Sequence, residues 1–161
     1  MNGSNTNGSH AIAPVWQVES WLNTNQPLSL DKLKGKVIVL HAFQMLCPGC
    51  VAHGLPQAQR IHQTFDQNKI AVVGLHTVFE HHDAMTAVAL KAFIHEYRLS
   101  FPIGIDQPNG RGSPKTMTAY QMKGTPTLIL IDKFGRIRRQ VFGQYDDLSL
   151  GAEIMALILE V

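Results

Sequence analysis

Two short runs of nearly unbroken apolar residues, Lys36–Phe43 and Ile70–Leu75, interrupt a chain whose other apolar positions mostly recur at helical or alternating spacing. Both are rich in β-branched residues and too short for helices, the pattern of strands buried on both faces. Between them lies Pro48 to Asn68, long enough for a helix although Gly54 and Pro56 interrupt it. Strand, helix, strand with short joins predicts a βαβ unit with a parallel pair.

Beyond this unit, Asp83 is read as the N-cap of a helix reaching about Arg98, with Ala87, Leu90, Ile94 and Tyr97 forming one apolar face. Phe101–Ile105 reads as a short strand. Ser113–Pro114 reads as N-cap and N1 of a short helix to about Met122. Thr127–Asp132 and Ile137–Phe142 flank Lys133–Arg136 and predict an antiparallel hairpin. A terminal helix is expected over Asp147–Val161, with Leu150, Ile154, Leu157 and Ile158 on one side. Val15–Leu22 fits an edge strand or a helical turn equally well, and Asn23–Gly35 reads as a connector.

The 161 residues, 45% hydrophobic and 16% charged, fit one α/β domain over 15–161. The Asn-, Gly- and Ser-rich residues 1–14 read as a disordered lead. A net charge of +2 and the single short basic run Arg136–Arg139 do not argue for nucleic acid. No apolar run approaches the ~20 residues of a membrane span. The first residues lack the basic and apolar regions of a secretory signal, so a cytoplasmic protein is expected, although a trimmed periplasmic domain would read the same way. A monomer is expected.

The only two cysteines, Cys47 and Cys50, stand four residues apart inclusive, around Pro48–Gly49. A redox couple, half of a metal site and two inert buried thiols all fit that spacing. Where the strand ends and the helix begins, unpaired backbone N–H groups and the helix dipole favour a thiolate at Cys47. Pro48 suits N1, where its missing N–H has no intrahelical use. In the redox reading Cys47 attacks a foreign disulfide and Cys50 resolves the mixed disulfide. A second feature is Lys123-Gly-Thr-Pro-Thr127, which puts Pro126 at a strand entry, either as an ordinary trans proline or in a specified cis turn.

Cys-Pro-Gly-Cys at a strand–helix junction, Gly-Thr-Pro-Thr before a strand and the Asp132-Lys-Phe-Gly-Arg136 hairpin together resemble the thioredoxin superfamily. More narrowly, they resemble the TlpA/ResA-like thiol-disulfide oxidoreductases of the redoxin (AhpC/TSA-type) group. The resemblance runs from about Leu28 to the C-terminus. It implies a thioredoxin-like fold with a central mixed β-sheet flanked by helices, and Cys47 and Cys50 as the catalytic pair. It implies that Pro126 is cis and faces that pair, with Thr125, Pro126, Pro48 and Gly49 meeting an extended substrate segment. The implied partners are protein disulfides or dithiols and a redox partner protein, with no cofactor and no metal.

Three positions depart from the family pattern. Leu46 replaces the usual aromatic before the first cysteine, within an apolar Gln44-Met45-Leu46 rim. Pro56 lies one residue further from Cys50 than expected, which suggests a bulge near Gly54. His41 occupies the place of a buried Asp or Asn beneath the second cysteine. A neutral imidazole there could take the proton from Cys50 as a third catalytic residue; the plain alternative is a core histidine satisfied by hydrogen bonds.

Four of the eight histidines, His76, His81, His82 and His95, fall within 20 residues, and His53 follows Cys50 by three. Convergence of imidazoles with the cysteines on zinc or copper is therefore one alternative function. A peroxiredoxin-like peroxidase is another. It would need a hydroxyl three residues before its cysteine, where this chain has Gln44 or Cys47.

Overall fold

The computed structural model describes residues 10–161. Its centre is β2 (Val37–Phe43), buried at every position as its apolar run demands. It pairs in parallel with β3 (Ile70–His76) and antiparallel with β5 (Thr127–Ile131). With β1 (Val18–Leu22), β4 (Ile103–Asp106) and β6 (Ile137–Phe142) these strands form one mixed six-stranded sheet in the order β1-β4-β3-β2-β5-β6.

Alternate residues of β2 feed two cores. Val37, Val39 and Phe43 pack with α1 (Leu55–Thr64), α2 (Ala87–Glu96) and α4 (Asp147–Leu159), through side chains such as Ala58, Leu90 and Ile154. Ile38, Leu40 and Ala42 point the other way, toward Trp16, Tyr120 and Met117 of α3 (Lys115–Ala119). The expected α/β arrangement, a mixed sheet flanked by helices, is what the chain forms.

The hairpin β5–β6 turns where expected. Buried Asp132 accepts the N–H groups of Phe134 and Arg136 at 2.9 and 3.0 Å, and Gly135 supplies the positive φ of 82°. Val18–Leu22 resolves as an antiparallel edge strand on β4. It carries a register shift between Val18 and Ser20, which explains why no clean alternation marked it.

Several boundaries differ from expectation. The helix assigned to Asp83 begins at Ala87, with Thr86 as its N-cap accepting from Ala89 N–H at 3.2 Å. Residues 81–85 are used in a separate turn onto His81 O. Its buried face is Leu90 and Ile94, while Ala87 and Tyr97 are exposed. Pro114 is the N-cap of α3 rather than its N1, because Asp106 reaches across to accept from Thr116 and Met117 N–H. Residues 1–9 of the expected lead lie outside the described residues. Of the remainder, Ile12 forms a β-bridge with Arg136 while staying exposed, and Ala13 is buried.

Candidate active site

Past Phe43 the chain leaves the sheet through Gln44–Leu46, a turn pinned by the segment that follows β3. Met45 N–H donates to His76 Nε2 at 3.3 Å, and buried Gln44 accepts Phe79 N–H at 3.1 Å. Of the expected apolar rim only Leu46 faces solvent, at 57% exposure. Cys47 then stands at the start of the helical segment. Its carbonyl accepts from Cys50 and Val51 N–H at 3.1 Å, and its Sγ accepts from Cys50 N–H at 3.2 Å. That arrangement is an N-cap with sulfur as the capping atom, so a donor already faces the sulfur that would carry charge after reduction.

Cys47 and Cys50 form a disulfide with their Cα atoms 5.2 Å apart, inside the usual range. Cys47 retains 8% exposure and Cys50 none. The bulge suggested by the displaced Pro56 is a π-helical turn over Cys50–Gly54, after which α1 starts with Pro56 in its first turn. A π-turn takes up one extra residue without breaking the helix.

That turn and Gly54 make room for His41. A Cβ on Gly54 would stand 2.5 Å from His41 Nε2 and 3.2 Å from Pro126 Cβ. His41 is the fifth residue of fully buried β2, so its ring cannot withdraw. Gly54→Ala is therefore expected to destabilise the fold by about 2 kcal/mol. Overpacking outweighs the gain in helix propensity of up to ~1 kcal/mol. Urea unfolding of the two proteins measures the difference.

The Thr125–Pro126 peptide is cis. Pro126 Cδ lies 3.3 Å from the position a Cβ would take on Gly49, so the proline packs directly on the Cys-Pro-Gly-Cys turn. Gly143 N–H closes the loop by donating to Pro126 O at 2.8 Å. The structure thus gathers Cys47, Pro48, Gly49, Cys50, Pro126 and His41 around one turn, with Thr125 adjoining Pro126. Sequence reasoning missed Phe142, which ends β6 against Gly124 and is 57% exposed. Only the pairing of Thr127 with Phe142 brings it to this loop.

His41 is buried, and its Nε2 has no hydrogen-bond partner. Burial holds its pKa down near 4, so the imidazole is neutral at ordinary pH. His76 is held near 4 by burial as well, with its Nε2 engaged as the acceptor for Met45. His82 and His76 line a different cavity from His41, and His53, His81 and His95 are exposed. Among the described residues no three His, Cys, Asp or Glu side chains converge as metal ligands, and no helix is long and apolar enough to cross a membrane.

A disulfide-bonded CxxC at the strand-to-helix junction of this mixed sheet is the arrangement of the thioredoxin-like fold. The chain belongs to the AhpC/TSA family, whose model matches residues 11–140. It is similar to the crystal structure of a thioredoxin-like superfamily protein, 56% identical with a TM-score of 0.92 over 94% of this chain and 98% of that one. A thiol-disulfide isomerase from Corynebacterium glutamicum is 49% identical with a TM-score of 0.88, over 92% and 98% of the two chains. The thiol-disulfide oxidoreductase ResA of Bacillus thuringiensis is 28% identical over 118 residues, 73% of this chain. The chain spans less than two thirds of the curated relatives it matches: 61% of that ResA and 18% of a longer mycobacterial protein.

Proposed function

We propose that the protein exchanges disulfides with partner proteins through Cys47 and Cys50. The observation that carries this reading is the asymmetry of the pair. Cys47 caps a helix start and retains a sliver of exposure, while Cys50 is sealed beneath the turn. In the reducing direction the Cys47 thiolate attacks a client disulfide, forming a Cys47–client bond and releasing one client thiolate. Cys50 then loses its proton and attacks Cys47 sulfur. The Cys47–Cys50 bond forms, and the second client sulfur leaves with the electron pair. Thr125 and Pro126, with Pro48 and Gly49, hold the client segment beside Cys47, and a redox partner protein returns the pair to its starting state.

His41 acts in this reading as the base for Cys50. Its neutral imidazole lies against the turn that Cys50 opens, with Nε2 unpartnered. His41→Asn is expected to slow resolution by about a hundredfold, within the range general bases supply, and to alter its pH profile. Unchanged kinetics would remove His41 from the mechanism.

A redox titration in graded glutathione buffers, read by alkylation and mass, tests the whole proposal. A potential near ~−270 mV makes the protein a reductant and fits the cytoplasm; one near ~−120 mV makes it an oxidant of an oxidising compartment. Failure of the intramolecular disulfide to form across the range would overturn the redox reading. The peroxidase alternative needs a hydroxyl three residues before its cysteine, where this chain holds Gln44, buried with its Oε1 accepting Phe79 N–H.

A further inference from the structure

His41 lines a cavity of about 340 Å³ between the π-helical turn, α1 and the segment joining β6 to α4. The buried, unpartnered Nε2 stands over Gly54, which also lines the cavity and offers no side chain to meet it. The outer wall is a fixed polar network. Gln57 Nε2 donates to Tyr145 O at 2.7 Å and to Asp147 Oδ1 at 2.8 Å. Arg60 pairs with the same carboxylate at 2.9 Å. Both amide hydrogens of buried Gln57, which lines the cavity, are thereby spent, so only its Oε1 is left to meet water. His53 from the π-turn and Tyr145 and Asp146 from the β6–α4 segment complete the titratable lining, the Tyr145 hydroxyl donating to Glu153. A polar space of this size holds several waters.

We infer that this cavity is the hydrated route by which the proton taken from Cys50 leaves the site, with Gln57 as the positioning residue that holds water against His41. The inference rests on His41 being the base. The proton leaves Cys50 sulfur for the imidazole as that sulfur attacks Cys47, passes to cavity water, and reaches solvent past the Arg60–Asp147 pair. The electron pair leaves on the client sulfur. No oxidant or reductant beyond the client is needed. A route is needed because the His41 ring is buried, and the cavity it lines is the opening that joins it to solvent.

The test uses Cys47 held as a mixed disulfide with thionitrobenzoate, whose release in a stopped-flow trace reports attack by Cys50. Gln57→Leu is expected to slow release about tenfold at neutral pH and to enlarge its solvent isotope effect, with the alkylation rate of reduced Cys47 unchanged. A merely structural role for Gln57 would not move the isotope effect. His41→Ala is expected to slow release by about a hundredfold, and added imidazole is expected to restore it, because the cavity leads from solvent to the vacated place. If His41→Ala is slow, imidazole fails to restore it and Gln57→Leu matches the parent protein, the route is wrong while the base reading stands. If His41→Ala releases at the parent rate, the base reading fails and takes the route with it. Should His41→Ala not fold, the rate and isotope effect of Gln57→Leu decide the matter alone.

Discussion

Replacing Cys50 by serine is expected to turn a catalyst into a trap. Cys47 would still sit at the helix start with its sulfur facing the backbone N–H of position 50, which the substitution leaves in place, so attack on a client disulfide would proceed. The mixed disulfide would then have no neighbouring thiol to release it. Intramolecular attack at near-bonding distance gains an effective concentration far above that of free thiols, so turnover should fall at least about a thousandfold. Non-reducing electrophoresis and intact mass should show one client adduct per protein. Cys47→Ser should show none, because Cys50 has no exposed surface from which to begin. An adduct on Cys50 in the Cys47→Ser protein would reverse the assigned order.

The second large effect is a loss of stability in mild acid. His41 and His76 have folded-state pKa values near 4, against 6.5 for the free side chain, and burial is the cause in both. Between those values the unfolded chain binds protons that the folded protein refuses. Stability is therefore complete above about pH 6.5 and falls as pH drops toward 4. A difference of about 2.5 pH units per histidine corresponds to roughly 3 kcal/mol each, a large part of the 5–15 kcal/mol a typical domain has.

The carboxyls of Asp132, Asp146, Glu153 and Glu160 are held below their ordinary values, mostly by hydrogen bonds. They add a loss of the same sign from about pH 5 downward, so the histidine contribution is read between about pH 6.5 and 5. Urea midpoints measured from pH 7 to pH 4 should drop steeply. His76→Gln keeps an acceptor for Met45 N–H but cannot titrate, so it should remove about half of the slope between about pH 6.5 and 5. A midpoint independent of pH over that range would contradict the burial of both rings.

The central strands were legible because their composition allows little else. Val37–Phe43 is apolar at almost every position, and only a strand with both faces covered uses such a run. The hairpin was legible from Asp132 and Gly135, whose preferences act within the turn itself. The start of α2 was misread because Asp83 and Thr86 are both good caps, and what settles between them is the separate turn that residues 81–85 make onto His81. The last residues of the lead were misread because Ala13 is buried by its contact with the β5–β6 hairpin, which local composition does not reveal.

The same division runs through the candidate site. The cysteine pair, its place at a helix start and the extra residue marked by Pro56 can all be read along the chain, since each is a spacing within one segment. What those residues face follows only from the folded arrangement. Pro126 lies against Gly49, His41 lies under Gly54, and Phe142 closes on Gly124, contacts made between segments from 13 to 77 residues apart. The physical reason is range. Propensity and capping act within a turn or two of chain, whereas the emptiness beside His41 and the loss of its charge come from elements that meet only when the sheet closes.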